Sequence, residues 1–178
     1  MPAYRVVEHE AVGKCEAVSK IRGTALGQGA KALVCKIKGH GVNQHVLAIL
    51  AADLQADLAR LAEYIGGSKA SLASPAEVDS LTACVFGAIP PFSFHPALRL
   101  VADPVLFERF PEIAFNAGQL DKSIILDTAD YLRIARPELA AFHRQTWSLL
   151  PPSPGRFRFF ASFAAGRSPS GRCLKTSF

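Results

Sequence analysis

No hydrophobic period persists for long in this chain. Over residues 1–140, short apolar runs alternating at every second residue repeatedly give way to short stretches spaced at helical intervals. A chain that keeps switching between these periods buries its faces as a mixed domain of short strands and helices. With 178 residues, 49% of them hydrophobic and 20% charged, it can close one sizeable core, and disorder throughout is excluded.

The pattern predicts a short helix from Cys15 to Arg22, stopped by Gly23, then a glycine-rich passage into a strand from Ala30 to Lys38. Gly39-His40-Gly41 reads as a hairpin turn into a second strand from His45 to Leu50. Asp53 is expected to cap a helix whose stripe is Leu54, Leu58, Leu61, Ala62 and Ile65, ended by Gly66-Gly67. Ser74-Pro75-Ala76-Glu77 has capping-box spacing and opens another short helix after a strand at 69–73. Strands are expected at 98–102, 112–116 and 123–126, followed by a helix capped by Asp127.

Charge divides the chain in two. Residues 1–140 hold fourteen Lys and Arg and all fifteen acids, whereas 141–178 hold six cations and no acid. The expected organisation is therefore a nearly neutral domain over 1–140 and a loosely ordered basic extension, rich in Pro, Ser and Phe, over 141–178. Within that extension Arg156-Phe157-Arg158-Phe159-Phe160 interleaves cations and rings, a composition that either stays a sticky tail or contacts RNA.

Three places could carry chemistry. Lys31 falls in line with Leu33, Cys35 and Ile37, so its amine either snorkels to solvent or lines a cleft that holds an anionic or carbonyl-bearing substrate. The run Gly87-Ala88-Ile89-Pro90-Pro91-Phe92 is a rigid apolar loop; it reads as a structural corner or as a binding loop whose backbone N–H groups meet an oxyanion and whose Phe92 forms a wall. Asn116, Gly118 and Ser123 stand at strand ends, where they make turns or present neutral hydrogen-bonding groups.

Other chemistries find no support. There is no GxSxG elbow, Walker loop, HExxH or dinucleotide fingerprint, and the five histidines are scattered. Cys15, Cys35, Cys84 and Cys173 form no CxxC and read as free thiols, so no metal or cofactor is expected. Apolar stretches are too short to span a bilayer and residues 1–10 lack the order of a secretion signal, which predicts a cytoplasmic protein without membrane contact.

In their order and spacing, four words resemble the YbaK and prolyl-tRNA-synthetase-associated domain family of aminoacyl-tRNA deacylases, most similarly its YeaK branch. They are GAKALVCK at 29–36, LASPAEVDSLTACVFGAIPPFSF at 72–94, LRLVADPVLFERF at 98–110 and FNAGQLDKSIILDTADYLRIARPEL at 115–139. The resemblance implies a single α/β domain with a curved mixed sheet and flanking helices. It also implies a trans-editing hydrolase that removes a small amino acid, serine or alanine, from mischarged tRNA by water attack on the 3′-ester. The family lysine falls on Lys31, its GxxxPF loop on Gly87, Pro91 and Phe92, and its later glycine on Gly118. By this reading Lys31 fixes the ester or terminal adenosine, and the N–H groups of Gly87 and Ala88 meet the oxyanion. Pro91, Phe92, Asn116, Gly118 and Ser123 bind substrate. Ala83 stands where many relatives have glycine, and Ser123 where the YbaK branch has aspartate. The partner implied is the acceptor end of tRNA, with the basic tail or a synthetase supplying further grip. A non-catalytic module that binds a tRNA end or nucleotide in the same pocket is the competing reading.

Overall fold

The computed structural model describes residues 4–144, so the cation and phenylalanine run at 156–160 lies outside the described residues. In chain order the elements are β1 (Tyr4–Glu8), α1 (Cys15–Arg22), a 3-10 turn (Leu26–Gln28), β2 (Ala30–Gly39), β3 (Val42–Ala51), α2 (Leu58–Ile65) and β4 (Lys69–Leu72). They continue with α3 (Pro75–Thr82), β5 (Leu98–Ala102), α4 (Val105–Glu108), β6 (Glu112–Asn116), β7 (Lys122–Asp127), α5 (Thr128–Ala135) and β8 (Glu138–Leu139).

The expected mixed α/β fold is present, built on two sheets. The larger has the order β4-β2-β3-β5-β8 and the smaller β1-β7-β6. The β2–β3 hairpin turns on His40 and Gly41, at φ 51° and 80°, the two left-handed residues that a type I′ turn requires, and the pairing starts at Gly39 opposite Val42. β3 runs parallel to β5, and β5 to β8, so the larger sheet is mixed. A parallel bridge from Gly29 to Ala114 joins the entry of β2 to β6 of the smaller sheet.

Side-chain alternation on β2 and β3 serves two cores. Cys35, Ile37, Val46, Ala48 and Leu50 pack on one face against Leu61, Ala62 and Ile65 of α2 and against Phe142. Val34, Leu47, Ile49 and Ala51 face the smaller sheet and the helices beside it, meeting Val78, Leu106, Phe115 and Tyr131. Each fully buried Leu or Ile contributes about 1.5–3 kcal/mol by leaving water. None of the helices among the described residues is long and apolar enough to cross a membrane.

Caps show where local chemistry wins. Ser74 and Glu77 close the capping box, with the Ser74 N–H donating to Glu77 Oε2 at 2.9 Å. Asp127 caps α5, accepting from the N–H groups of Ala129 and Asp130. The cap of α2, however, is Asp57, whose Oδ1 accepts from the N–H of Ala59 at 3.0 Å. Asp53 is taken instead by the Arg109 guanidinium through two bonds of 2.8 and 2.7 Å, which also holds its carboxyl below the usual range. The domain runs past residue 140: the Asp103 carboxylate, fully buried, accepts from the N–H groups of Phe142 and His143 and from His143 Nδ1, each at 2.8 Å.

Candidate functional site

One face of α1 explains the site. Cys15, Val18, Ser19 and Arg22 follow the i, i+3, i+4, i+7 spacing, so they share a face, and all four line a hollow of about 70 Å³. The opposite walls come from the start of β2 with Lys31, from Gly87 and Ile89 of the loop after α3, and from Asn116 at the end of β6. The Gly29–Ala114 bridge brings those walls together.

Lys31 shares the face of Leu33, Cys35 and Ile37, as strand alternation predicts, and stands at the start of β2. Its Nζ donates to the Leu54 carbonyl at 2.6 Å, half-buried, and the side chain borders the hollow. Arg22 lies across from it. Its Nε donates to Ser123 Oγ at 2.8 Å and its Nη2 to Asn116 Oδ1. Burial pulls this guanidinium down to about 10, and no carboxylate among the described residues counters that loss. Cys15 is close enough to feel both cations, yet burial outweighs them and pushes its thiol up, which leaves it protonated and unreactive at neutral pH.

The rest of the network fixes the loop. Asn116 Nδ2 donates to the Gly87 carbonyl at 2.7 Å, so the amide orientation is set by an arginine on one side and a carbonyl on the other. His9 donates from Nδ1 to the Glu10 carbonyl at 2.7 Å, and its Nε2 lies 2.6 Å from Ser123 Oγ, which ties Ser123 to the segment after β1. Gly87 has φ 83°, and a Cβ there would stand 3.0 Å from the Gly13 carbonyl oxygen, so the position admits only glycine without strain.

Several expected positions fall elsewhere. The Ala88 N–H is not available to an oxyanion, because it donates to the Val85 carbonyl at 3.1 Å and the residue is fully buried. The Gly87 N–H has no backbone partner among the described residues. Ser123 is fully buried and stands behind Asn116, holding Arg22 and not facing the hollow. Phe92 and Gly118 line a second hollow, about 220 Å³, with Cys84 and Phe94 on the other side of the loop; the two hollows share Ile89. Pro91 is buried, and its carbonyl accepts the Tyr131 hydroxyl at 2.7 Å, which anchors the corner to α5.

Arg22 escapes the sequence reading because it ends a helix, where a cation is ordinary. The signal available was its place, one turn on from Val18 and Ser19, on the inward face of a helix whose exposed face already carries Lys20.

The sequence pattern of the family described as the aminoacyl-tRNA editing domain matches residues 9–134. The chain is 82% identical over 141 residues to the multifunctional Ser/Thr-tRNA deacylase ProXp-y of Escherichia coli strain K12, a match spanning 79% of this chain and 84% of the relative. The protein of that name from Escherichia coli O157:H7 matches equally. Among solved structures, the hypothetical protein APE2540 superposes with a TM-score of 0.71 at 17% identity, over 80% of this chain and 92% of its own. A protein described as a candidate trans-editing enzyme for prolyl tRNA synthetase gives 0.68 at 23%, over 80% and 87%. At such identities these structures establish the fold alone.

Proposed function

The chain belongs to the aminoacyl-tRNA editing domain family, and from that premise we infer the working of the hollow between α1, β2 and the Gly87 loop. The protein is a deacylase of mischarged aminoacyl-tRNA, an enzyme that hydrolyses the ester joining a wrong amino acid to the tRNA end. The observation that carries the assignment of this chemistry to the hollow is the company of Lys31: a half-buried ammonium held on a carbonyl, with a left-handed glycine on the same hollow, in a space sized for a small side chain.

An activated ester needs a placed water and a stabilised oxyanion more than it needs a protein nucleophile. Lys31, fixed by Leu54, directs its remaining N–H groups at the ester or the terminal adenosine, and the Gly87 N–H donates to the developing oxyanion. Asn116 positions that N–H by gripping the Gly87 carbonyl, while Pro91 and Phe92 brace the corner from behind. Cys15 and Asn116 give the hollow its polar points, which suit a hydroxylated side chain. Serine is the substrate expected from the hollow's size, and threonine joins it because the relative's name carries both. The near-neutral domain leaves the tRNA body to the basic tail or to a synthetase, and the work is cytoplasmic.

Deacylation of Ser-, Thr- and Ala-charged tRNA by the purified chain tests the reading. Hydrolysis of the Ser and Thr esters well above the spontaneous rate, lost on Lys31→Ala with the fold retained, is the expected result. Equal rates for variant and wild type, with the charged tRNA still bound, would leave a binding module.

A further inference from the structure

We propose that Arg22 is a catalytic residue of this deacylase: its guanidinium binds the ester carbonyl oxygen and stabilises the negative charge that gathers there. The proposal rests on the deacylase reading and assigns to a side chain part of the role that Ala88 cannot fill, since the Ala88 N–H is already spent on Val85.

The guanidinium is arranged for a ligand and not for a protein counter-ion. It has five N–H donors, and those engaged go to neutral oxygens, Nε to Ser123 and Nη2 to Asn116. Arg22 itself lines the hollow. A half-buried cation without a carboxylate is costly to keep, whereas Lys36, Arg99 and Arg109 of the same domain each meet one. Ser123, itself tied to His9, and Asn116 hold the guanidinium plane before substrate arrives, so no reorganisation is needed when charge appears. The same Asn116 grips Gly87, which sets the arginine fork and the Gly87 N–H about one space.

The chemistry balances as a simple ester hydrolysis. Water oxygen adds to the carbonyl carbon, and the carbonyl electron pair moves onto oxygen as the oxyanion that Arg22 holds. Collapse breaks the bond to the ribose oxygen, which takes up the proton given by the water. The products are free amino acid and a tRNA with its terminal hydroxyl restored. Since the charge exists only between substrate and product, Arg22 acts on kcat more than on KM.

The test pairs kinetics with two stable analogues of seryl-adenosine, one with an amide in place of the ester and one with an anionic tetrahedral phosphonate. Arg22→Gln is expected to lower kcat on Ser-tRNA by about 10²–10³-fold with KM changed less than about threefold. It is expected to weaken the phosphonate by about 100-fold or more and the amide by less than about fivefold. Millimolar guanidinium restores part of the rate of Arg22→Ala. Should either variant fail to fold, Arg22→Lys retains charge and stem but not the fork, and a tenfold or greater loss of kcat and phosphonate affinity is expected. A folded Arg22→Gln (or Arg22→Lys in its place) within about threefold of the wild-type kcat would overturn the proposal, as would equal losses for both analogues. Wild-type protein that deacylates no charged tRNA would break the deacylase reading instead, and the analogue pair would still report whether Arg22 prefers the anion.

Discussion

The two ends of the larger sheet treat their cations differently. Toward α3 and β8 the half-buried cations have carboxylates: Lys36 meets Glu77, which also lies 3.2 Å from His45 Nε2, and Arg99 makes a two-pronged contact with Glu138 at 2.6 and 2.5 Å. Toward α1, the hydrogen bonds of Arg22 and Lys31 go to a hydroxyl, an amide and a carbonyl. Asp53 is near enough to Lys31 to feel its charge, but its oxygens are held by Arg109. The first arrangement is complete without a ligand and holds the fold. The second has no carboxylate on either cation, and in the role proposed for Arg22 the counter-charge is the oxyanion that forms during hydrolysis.

Breaking the anchor behind the sheet has the largest expected effect on stability. Asp103→Ala strips the N–H groups of Val105, Phe142 and His143 and the His143 ring of their acceptor in a fully buried place, and a loss of about 3–5 kcal/mol is expected in urea unfolding. Next comes the hollow's own backbone. Gly87→Ala forces a Cβ toward Gly13 at a left-handed φ, so a loss of about 1–2 kcal/mol in stability and at least about tenfold in deacylation is expected, read by thermal melts and single-turnover rates.

The paired end makes a pH prediction. The hydrogen bond from Lys36, helped by Ser74 and His45, holds the Glu77 carboxyl well below its ordinary 4.5, and Arg99 lowers Glu138 likewise. A depressed carboxyl adds stability above its unfolded value and loses it as pH falls toward the folded one. Stability is therefore expected to hold from neutrality to about pH 5 and to fall below about pH 4.5. Glu77→Gln should flatten that fall and leave the deacylation rate unchanged, the reverse of Arg22→Gln. The smallest effect concerns Ala83, which ends α3 at φ 52°. Ala83→Gly relieves a left-handed alanine, and a gain of up to about 1 kcal/mol is expected in thermal unfolding.

Much of this was legible in the chain. Alternation placed Lys31 opposite in facing to Lys36, and the capping signals at Ser74 and Asp127 act as their chemistry dictates, because those are local contests. The reading that gave Asp53 a cap failed on a distant competitor: Arg109, 56 residues on, offers two charge-assisted bonds where a helix end offers neutral N–H groups. β1, α4 and β8 were not foreseen. β1 is largely exposed and pairs along its length with β7, while α4 and β8 are four and two residues long, too short to show a period. The site divided in the same way. Lys31 and Gly87 carried local marks, whereas the burial of Ser123 and the fork of Arg22 depend on contacts across many residues of sequence; the Ala88 N–H is blocked by a local turn to Val85 inside a run with no helical or strand period to announce it.

The most direct test sets one hollow against the other: single-turnover deacylation of Ser-tRNA by Lys31→Ala and by Phe94→Ala, the latter changing a ring 83% exposed beside the apolar hollow. The account predicts a loss of about 100-fold or more for the folded Lys31 variant and a rate within about threefold of wild type for the Phe94 variant. A Lys31 variant that hydrolyses at the wild-type rate while the Phe94 variant does not would place the chemistry in the wrong hollow and contradict the account.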